Sequence, residues 1–432
     1  MEISALYEIF KRHPQVTTDS RECPEDSIFF ALKGESFNGN AFAKAALDKG
    51  CAYAVVDESE YAEEGNPRYI MVDDCLASLQ QLANFHRRSL GTKIIGVTGT
   101  NGKTTTKELV SAVLSKKYNV LYTQGNLNNH IGVPKTLLRL TPEHQLAVVE
   151  MGANHPGEIK TLVDIVEPDC GIITNVGMAH LEGFGSFEGV VRTKGELYDY
   201  LRANGGKVFL HAENEHLRGI AHDIETIEYG TSVDSNLYVC GEVVGCAPFL
   251  TFRWRHENGE WNNVETHLIG SYNIYNMLAA ACIGLFFDVE QPDISAALSD
   301  YMPSNNRSQL TVTNDNKLIV DTYNANPTSM AAALRNFRDM QVEPKMAILG
   351  DMRELGASSA EEHQKVVDFL LANSIDNVWL VGDEFAKTRC HYHKFKNVEE
   401  VKAQIKENKP SGFYILIKGS NGIKLFQLPE HL

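Results

Sequence analysis

Short apolar runs alternate along this chain with longer amphipathic stretches, the order expected of strands and helices in an α/β protein. The pattern is clearest from Lys93 to about Tyr301. Ile94, Ile95 and Val97 form a buried-strand run that breaks into Gly99 and Gly102, and Glu108 to Leu114 reads as a helix. Leu146 to Glu150 is a second strand. Glu158 to Val166 is a helix opened by Asn154 and Pro156 and stopped at Pro168. A strand at Gly171–Val176, a helix at Phe187–Leu201 and a strand at Lys207–Leu210 follow. Leu237 to Leu268 then changes period, alternating around a turn at Glu257-Asn-Gly, which predicts a small antiparallel extension. Asn273 to Phe287 is an apolar, alanine-rich helix.

Both flanks read as separate units. Before the central pattern, Ser27 to Leu32 and Tyr53 to Val56 are strand-like and Phe42 to Leu47 is helical. Lys33 to Asn40 reads as a polar glycine loop, and a helix at Cys75–Leu90 leads into the centre. After Pro303, strands at Lys317–Asp321, Met346–Gly350, Val378–Gly382 and Phe413–Lys418 alternate with helices at Pro327–Met340, Ser359–Ala372 and Val398–Glu407. We therefore expect three domains, with bounds near residues 1–85, 86–302 and 303–432, the last a doubly wound sheet. Composition changes this little, since 43% hydrophobic and 22% charged residues suit a chain with well-filled cores. A net charge of −16 argues against nucleic acid or an anionic membrane as partner. The eight cysteines show no CxxC or zinc spacing, which favours a reducing compartment. No signal peptide or membrane-spanning run is visible, so a cytoplasmic, soluble protein is expected.

Candidate chemistry concentrates where strands end. A strand, a glycine turn and a helix start at Gly99-Thr100-Asn101-Gly102-Lys103-Thr104-Thr105 form the geometry that cradles phosphates on backbone N–H groups. Lys103 would reach the β/γ-phosphates and Thr104 would hold Mg²⁺. The general P-loop pattern wants glycine at position 97, where this chain has valine.

Open α/β sheets bind ligands beyond the carboxyl ends of their strands. Glu150, His180, Asp321 and Asp351 stand at such ends. Glu150 is either a Mg²⁺ ligand beside Thr104 or a loop carboxylate. His180 is either a second metal ligand or a plain loop histidine. Lys194 falls on the apolar face of its helix with Val190, Val191, Leu197 and Tyr198. It is either a snorkelling stem or a buried neutral amine able to take up CO₂ as a carbamate. Asn273 and Asn276 begin a helix where a side-chain amide could read a base edge, with helix capping by Asn273 the alternative. Asp321-Thr-Tyr-Asn-Ala-Asn-Pro is unusually dense in polar groups for a turn. Arg21 and Lys33 either grip an anion or are solvated charges.

Taken together, G-T-N-G-K-T-T at Gly99–Thr105, E-M-G-A-N-H-P-G-E-I at Glu150–Ile159, A-H-L-E-G-F-G-S at Ala179–Ser186 and D-T-Y-N-A-N-P at Asp321–Pro327 resemble the Mur ligase family. These are ATP-dependent amide-forming enzymes of peptidoglycan synthesis. Further likeness lies in Asp19-Ser-Arg, Thr123-Gln-Gly-Asn-Leu-Asn-Asn and Leu349-Gly-Asp-Met-Arg-Glu-Leu-Gly. The shortened phosphate loop is the family's own form. The resemblance implies an N-terminal UDP-substrate domain, a central P-loop ATPase domain and a C-terminal Rossmann-like domain. Within the family it points to the branch that adds D-alanyl-D-alanine to a UDP-N-acetylmuramoyl-tripeptide, with ATP and Mg²⁺, acting as a monomer.

The resemblance also implies roles. Lys103 binds the γ-phosphate, and Thr104 and Glu150 hold one Mg²⁺. His180 and a carbamylated Lys194 serve a second metal. Asn273 meets adenine, and Arg307 and Asp321 meet the nucleotide from the third domain. Asp19, Ser20 and Arg21 belong to the uridine-nucleotide region, and Asn128 and Asn129 to the muramoyl side. Tyr323, Asn324 and Asn326 face the dipeptide. Two departures stand out: Val320 replaces a frequent aspartate, and Asn421 a usual arginine. The rival readings are a family member adding the third amino acid, a folylpolyglutamate synthase, or a nucleotide-dependent switch.

Overall fold

The computed structural model describes residues 1–232, 236–303 and 309–432. Among the described residues, three large sheets and one two-stranded pair carry the chain. A four-stranded parallel sheet holds Val16–Thr17, Ile28–Phe30, Tyr53–Val56 and Tyr69–Met71, paired in that order. A nine-stranded sheet lies between Lys93 and Ile269, and a six-stranded one between Gln309 and Lys418. The fold is the three-domain, mixed α/β architecture expected.

In the nine-stranded sheet, Lys93–Thr98 runs parallel between Cys170–Ile173 and Leu146–Glu150. Such a central strand is covered on both faces, and Ile94, Ile95 and Val97 are fully buried, which explains their unbroken apolar run. Val239–Cys246, Phe249–His256 and Asn262–Ile269 form the antiparallel extension. They are not a separate sheet: Val239 and Cys240 pair in parallel with Tyr229 and Gly230, which joins them to the main sheet.

Several element bounds differ from expectation. The helix after the phosphate turn begins at Lys103, not Glu108, because Gly102 supplies a left-handed start at φ 78°. The strand expected over Gly171–Val176 covers Cys170–Ile173, since Thr174 and Asn175 turn aside to brace the phosphate loop. The segment expected as a loop after Lys33 contains a short antiparallel pair, Lys33–Gly34 with Phe37–Asn38.

The helix Cys75–Leu90 is capped by Asp74, which accepts from Ala77 N at 2.7 Å, and closed by left-handed Gly91. Its Leu79 and Leu82 share one core with Phe29 of the N-terminal sheet and with Ile159 and Leu162 of the central unit. That shared core fixes the first unit against the second. In the third unit, Leu349, Leu380 and Leu416 form a core that reaches Ile269 at the end of the antiparallel extension. Among the described residues, no helix is long and apolar enough to cross a membrane.

Candidate active site

The phosphate turn is built by close approach. A Cβ at Gly99 would lie 2.1 Å from Thr174 Oγ1, so only glycine fits there, and its φ of 140° suits glycine as well. Thr174 Oγ1 donates to Asn101 O at 2.6 Å and Asn175 Nδ2 to the same oxygen at 2.9 Å. Asn101 N returns a bond to Asn175 Oδ1 at 3.0 Å. These bonds brace the turn from the neighbouring strand end. Lys103 Nζ folds over it, donating to Gly99 O at 2.8 Å and Thr100 O at 3.0 Å.

Thr104 Oγ1 donates to Glu150 Oε2 at 3.0 Å, and both residues are buried. Asn128 Nδ2 holds the other carboxylate oxygen at 2.8 Å. A buried hydroxyl and carboxylate in contact are hard oxygen donors that fit Mg²⁺, which fills its remaining positions with water and phosphate. Among the described residues, no group of three or more His, Cys, Asp or Glu is disposed to hold a metal alone.

Lys194 is 2% exposed, and its Nζ donates to Ala153 O at 3.2 Å. Burial first, and then the charge of Lys103, lower its pKa to about 7. The ammonium lies 5.3 Å from the centre of the Phe184 ring, which itself packs edge-on to His180. Structure therefore brings Lys194 and His180 to one place. His180, left-handed at φ 51°, places Nδ1 against the Glu354 carboxylate of the third unit. Burial holds the His180 pKa below its usual value, with Glu354 opposing that effect.

Lys103, Asn128, Glu150 and His180 line a cavity of about 1020 Å³, while Thr104, Lys194 and Glu354 stand behind its walls. Its walls include Leu76 and Gln80 from the first unit, Lys103 and Glu150 from the centre, and Asp321, Tyr323 and Asn324 from the third. Asp321 pairs with buried Lys418 at 2.6 Å. Asn324 Oδ1 turns back to Ala325 N at 2.8 Å, while Tyr323 is exposed. Asn273 lines the wall but does not cap its helix. Its amide instead donates to Ile269 O at 2.8 Å and accepts from Asn276 at 2.8 Å.

Other expected residues stand elsewhere or do other things. Asn129 lines the cavity, and its Oδ1 accepts from Gly132 N at 2.8 Å just ahead of a short helix. Asn326 caps the helix Pro327–Asp339, and its Nδ2 reaches Asn101 Oδ1 at 2.8 Å across the seam between units. Asp19 and Arg21 pair with each other on the surface of the first unit, outside the cavity walls. Ser20 O accepts from Lys49 Nζ at 2.7 Å. Asp351 is spent on structure: its carboxylate accepts from Glu384 N and Phe385 N, both at 2.9 Å. Arg307 lies outside the described residues.

Sequence reasoning passed over Thr174, Asn175, Lys418 and Glu354 as site residues. The first two follow directly on a buried strand, a signal that was available. Lys418 ends a strand beside the one ending in Asp321, and only the sheet order reveals that adjacency.

Family models match the chain in succession: the Mur ligase family catalytic domain over residues 14–87, the Mur ligase middle domain over 97–284, and the Mur ligase glutamate ligase domain over 306–421. The UDP-N-acetylmuramoyl-tripeptide–D-alanyl-D-alanine ligase of Bacillus subtilis is 35% identical over 96% of this chain and 92% of its own length. The chain belongs to the Mur ligase family. The enzyme of the same name from Escherichia coli is 36% identical to this Mur ligase over 85% of the chain and 81% of its own length. A crystal structure of MurF from Acinetobacter baumannii superposes on this Mur ligase with a TM-score of 0.87 at 31% identity. It covers 96% of this chain and 92% of that one. The MurF ligase of Thermotoga maritima, solved with ADP, has a TM-score of 0.85 at 24% identity and covers 96% of each chain.

Proposed function

We infer that this Mur ligase joins D-alanyl-D-alanine to UDP-N-acetylmuramoyl-tripeptide, consuming ATP and giving UDP-N-acetylmuramoyl-pentapeptide, ADP and phosphate. The observation that carries the reading is a cavity lined by residues of all three units, among them the phosphate turn. We propose the domain bounds 1–85, 86–302 and 303–432, and a cytoplasmic monomer.

In this reading the tripeptide carboxylate attacks the γ-phosphorus, its bond to the ADP oxygen breaks, and an acyl phosphate forms. The dipeptide amine then attacks the acyl carbon, phosphate leaves, and the amine proton passes to solvent or base. Lys103, held over the turn, swings onto the β/γ-phosphates and offsets their charge. Thr104 and Glu150 would hold one Mg²⁺, and His180 with carbamylated Lys194 a second; such ions neutralise charge on nucleophile and leaving group. Asn273 and its neighbour Asn276 offer amides to adenine, and Asp321 to the ribose. The Thermotoga maritima relative's ADP supports a nucleotide here. Asn128 and Asn129 lie toward the muramoyl side, with Asp19, Ser20 and Arg21 toward the uridine nucleotide. Tyr323, Asn324 and Asn326 lie toward the dipeptide, and Arg307 serves the nucleotide.

The test is phosphate release from ATP and Mg²⁺ with the UDP-muramoyl-tripeptide, with and without D-alanyl-D-alanine. We expect release to need both, with a pentapeptide product by mass. A single amino acid replacing the dipeptide would make it a different ligase of this family. Release that ignores both acceptors would favour a nucleotide switch.

A further inference from the structure

The segment Leu349-Gly-Asp-Met-Arg-Glu-Leu-Gly is conspicuous in the sequence, yet the chemistry above leaves it without a task. In the fold it is a rigid bracket. Asp351 N donates to Val381 O at 3.0 Å, Met352 N to His363 Nε2 at 3.0 Å, and Arg353 N to Ser420 Oγ at 3.0 Å. Met352 and Leu355 are buried in the core of the third unit. Between these anchors Glu354 is left-handed, at φ 62°, and its side chain is 55% exposed. Few residues other than glycine adopt that backbone, and here it turns the carboxylate outward. The carboxylate meets Nδ1 of His180, and Glu354 O also accepts from Glu182 N at 3.4 Å.

We propose that Glu354 is a positioning residue, which from the third unit sets the tautomer and ring orientation of His180 in the central unit. A carboxylate only accepts, so Nδ1 carries the proton and Nε2 keeps its lone pair for a ligand in the cavity. A histidine steered in this way through its other nitrogen is a better-directed ligand. Because the two residues belong to different units, His180 is set only while those units are together. Glu354 touches no substrate in this role. The proposal rests on the ligase reading above.

The test compares Glu354→Ala and Glu354→Gln with the wild type, all as full chains. Mn²⁺ binding is followed by electron paramagnetic resonance with a non-hydrolysable ATP analogue and the UDP-substrate, beside kcat, KM and the melting temperature. For Glu354→Ala we expect Mn²⁺ affinity and kcat to fall roughly ten- to a hundred-fold with the KM for UDP-substrate unchanged. The glutamine amide oxygen still accepts from Nδ1, so Glu354→Gln should recover most of both. Glu354→Ala that melts like wild type and keeps Mn²⁺ affinity and kcat within about two-fold would overturn the proposal. Equal losses in both variants that track a lowered melting temperature would overturn it too, by showing a merely structural part. A wild type that makes no pentapeptide would sink the ligase reading instead, and the Mn²⁺ titration would still judge Glu354.

Discussion

Lys194 sits where a lysine is costly. Burial of its ammonium against Phe184, with Lys103 near enough to repel it, brings the pKa to about 7. The neutral amine can then add to CO₂: an N–C bond forms, one N–H proton leaves, and a carboxylate results beside His180. We expect enzyme freed of CO₂ to lose activity and bicarbonate to restore it, faster above pH 7 than below. Lys194→Ala should be inactive under both conditions. Restoration that does not depend on pH, or activity untouched by CO₂ removal, would count against the carbamate. Stability gives an independent reading in CO₂-free buffer. The folded-state pKa lies below the ordinary 10.5, so between about 7 and 10.5 the unfolded chain binds more protons than the folded one. Stability from this group therefore rises with pH across that window and is lowest below it. Relative to Lys194→Met, the wild type should show an extra pH slope of about one proton in chemical denaturation between pH 7 and 10.

At the scale of elements, the helix Pro327–Asp339 and the phosphate turn meet through one side chain. Asn326 accepts from Ser329 N at 2.8 Å to cap the helix, and its amide reaches Asn101. The two tasks can be separated. Asn326→Ala removes both, and loss of the cap alone should cost about 0.5–2 kcal/mol in denaturant unfolding. Asn326→Ser keeps a capping hydroxyl that is too short to reach Asn101. It should unfold near the wild-type midpoint while the KM for ATP rises, and an unchanged KM would make the contact idle. The same residue shows what the chain reveals before folding. Asn-Pro at a helix start is readable as a cap, and the apolar run through Val97 as a buried strand, because both signals are local. The partnership of Asn326 with Asn101 is not local, nor is that of Asp321 with Lys418, since each depends on how sheets and units are set side by side. Helix bounds failed where a glycine conformation decided them: Gly102, left-handed, lets the helix begin at Lys103. Asn273 read equally well as a cap or a base reader, and only the packing of its amide against Ile269 O and Asn276 removed the first.

Over the whole molecule, the seam between the second and third units is uneven. One part is apolar: Ile269 lies in the core of the third unit and Phe249 packs against it. The part beside the cavity is polar, made of Asn101 with Asn326, Met178 N donating to Thr328 Oγ1 at 3.1 Å, and His180 with Glu354. Polar contacts between domains exchange readily with water, whereas buried apolar ones do not. The third unit should therefore swing about the Ile269 contact, opening and closing the cavity side. Ligands that bridge the cavity would favour the closed arrangement by their extra affinity for it. The radius of gyration from small-angle scattering should fall when an ATP analogue, Mg²⁺ and UDP-substrate are added together, and less with any one alone. Asn326→Ser should weaken that response without abolishing it, because the other seam contacts remain. Scattering that is the same with and without all ligands would mean that the seam does not move. The role of Glu354 would then lie in orienting His180 at all times, not in joining its orientation to closure.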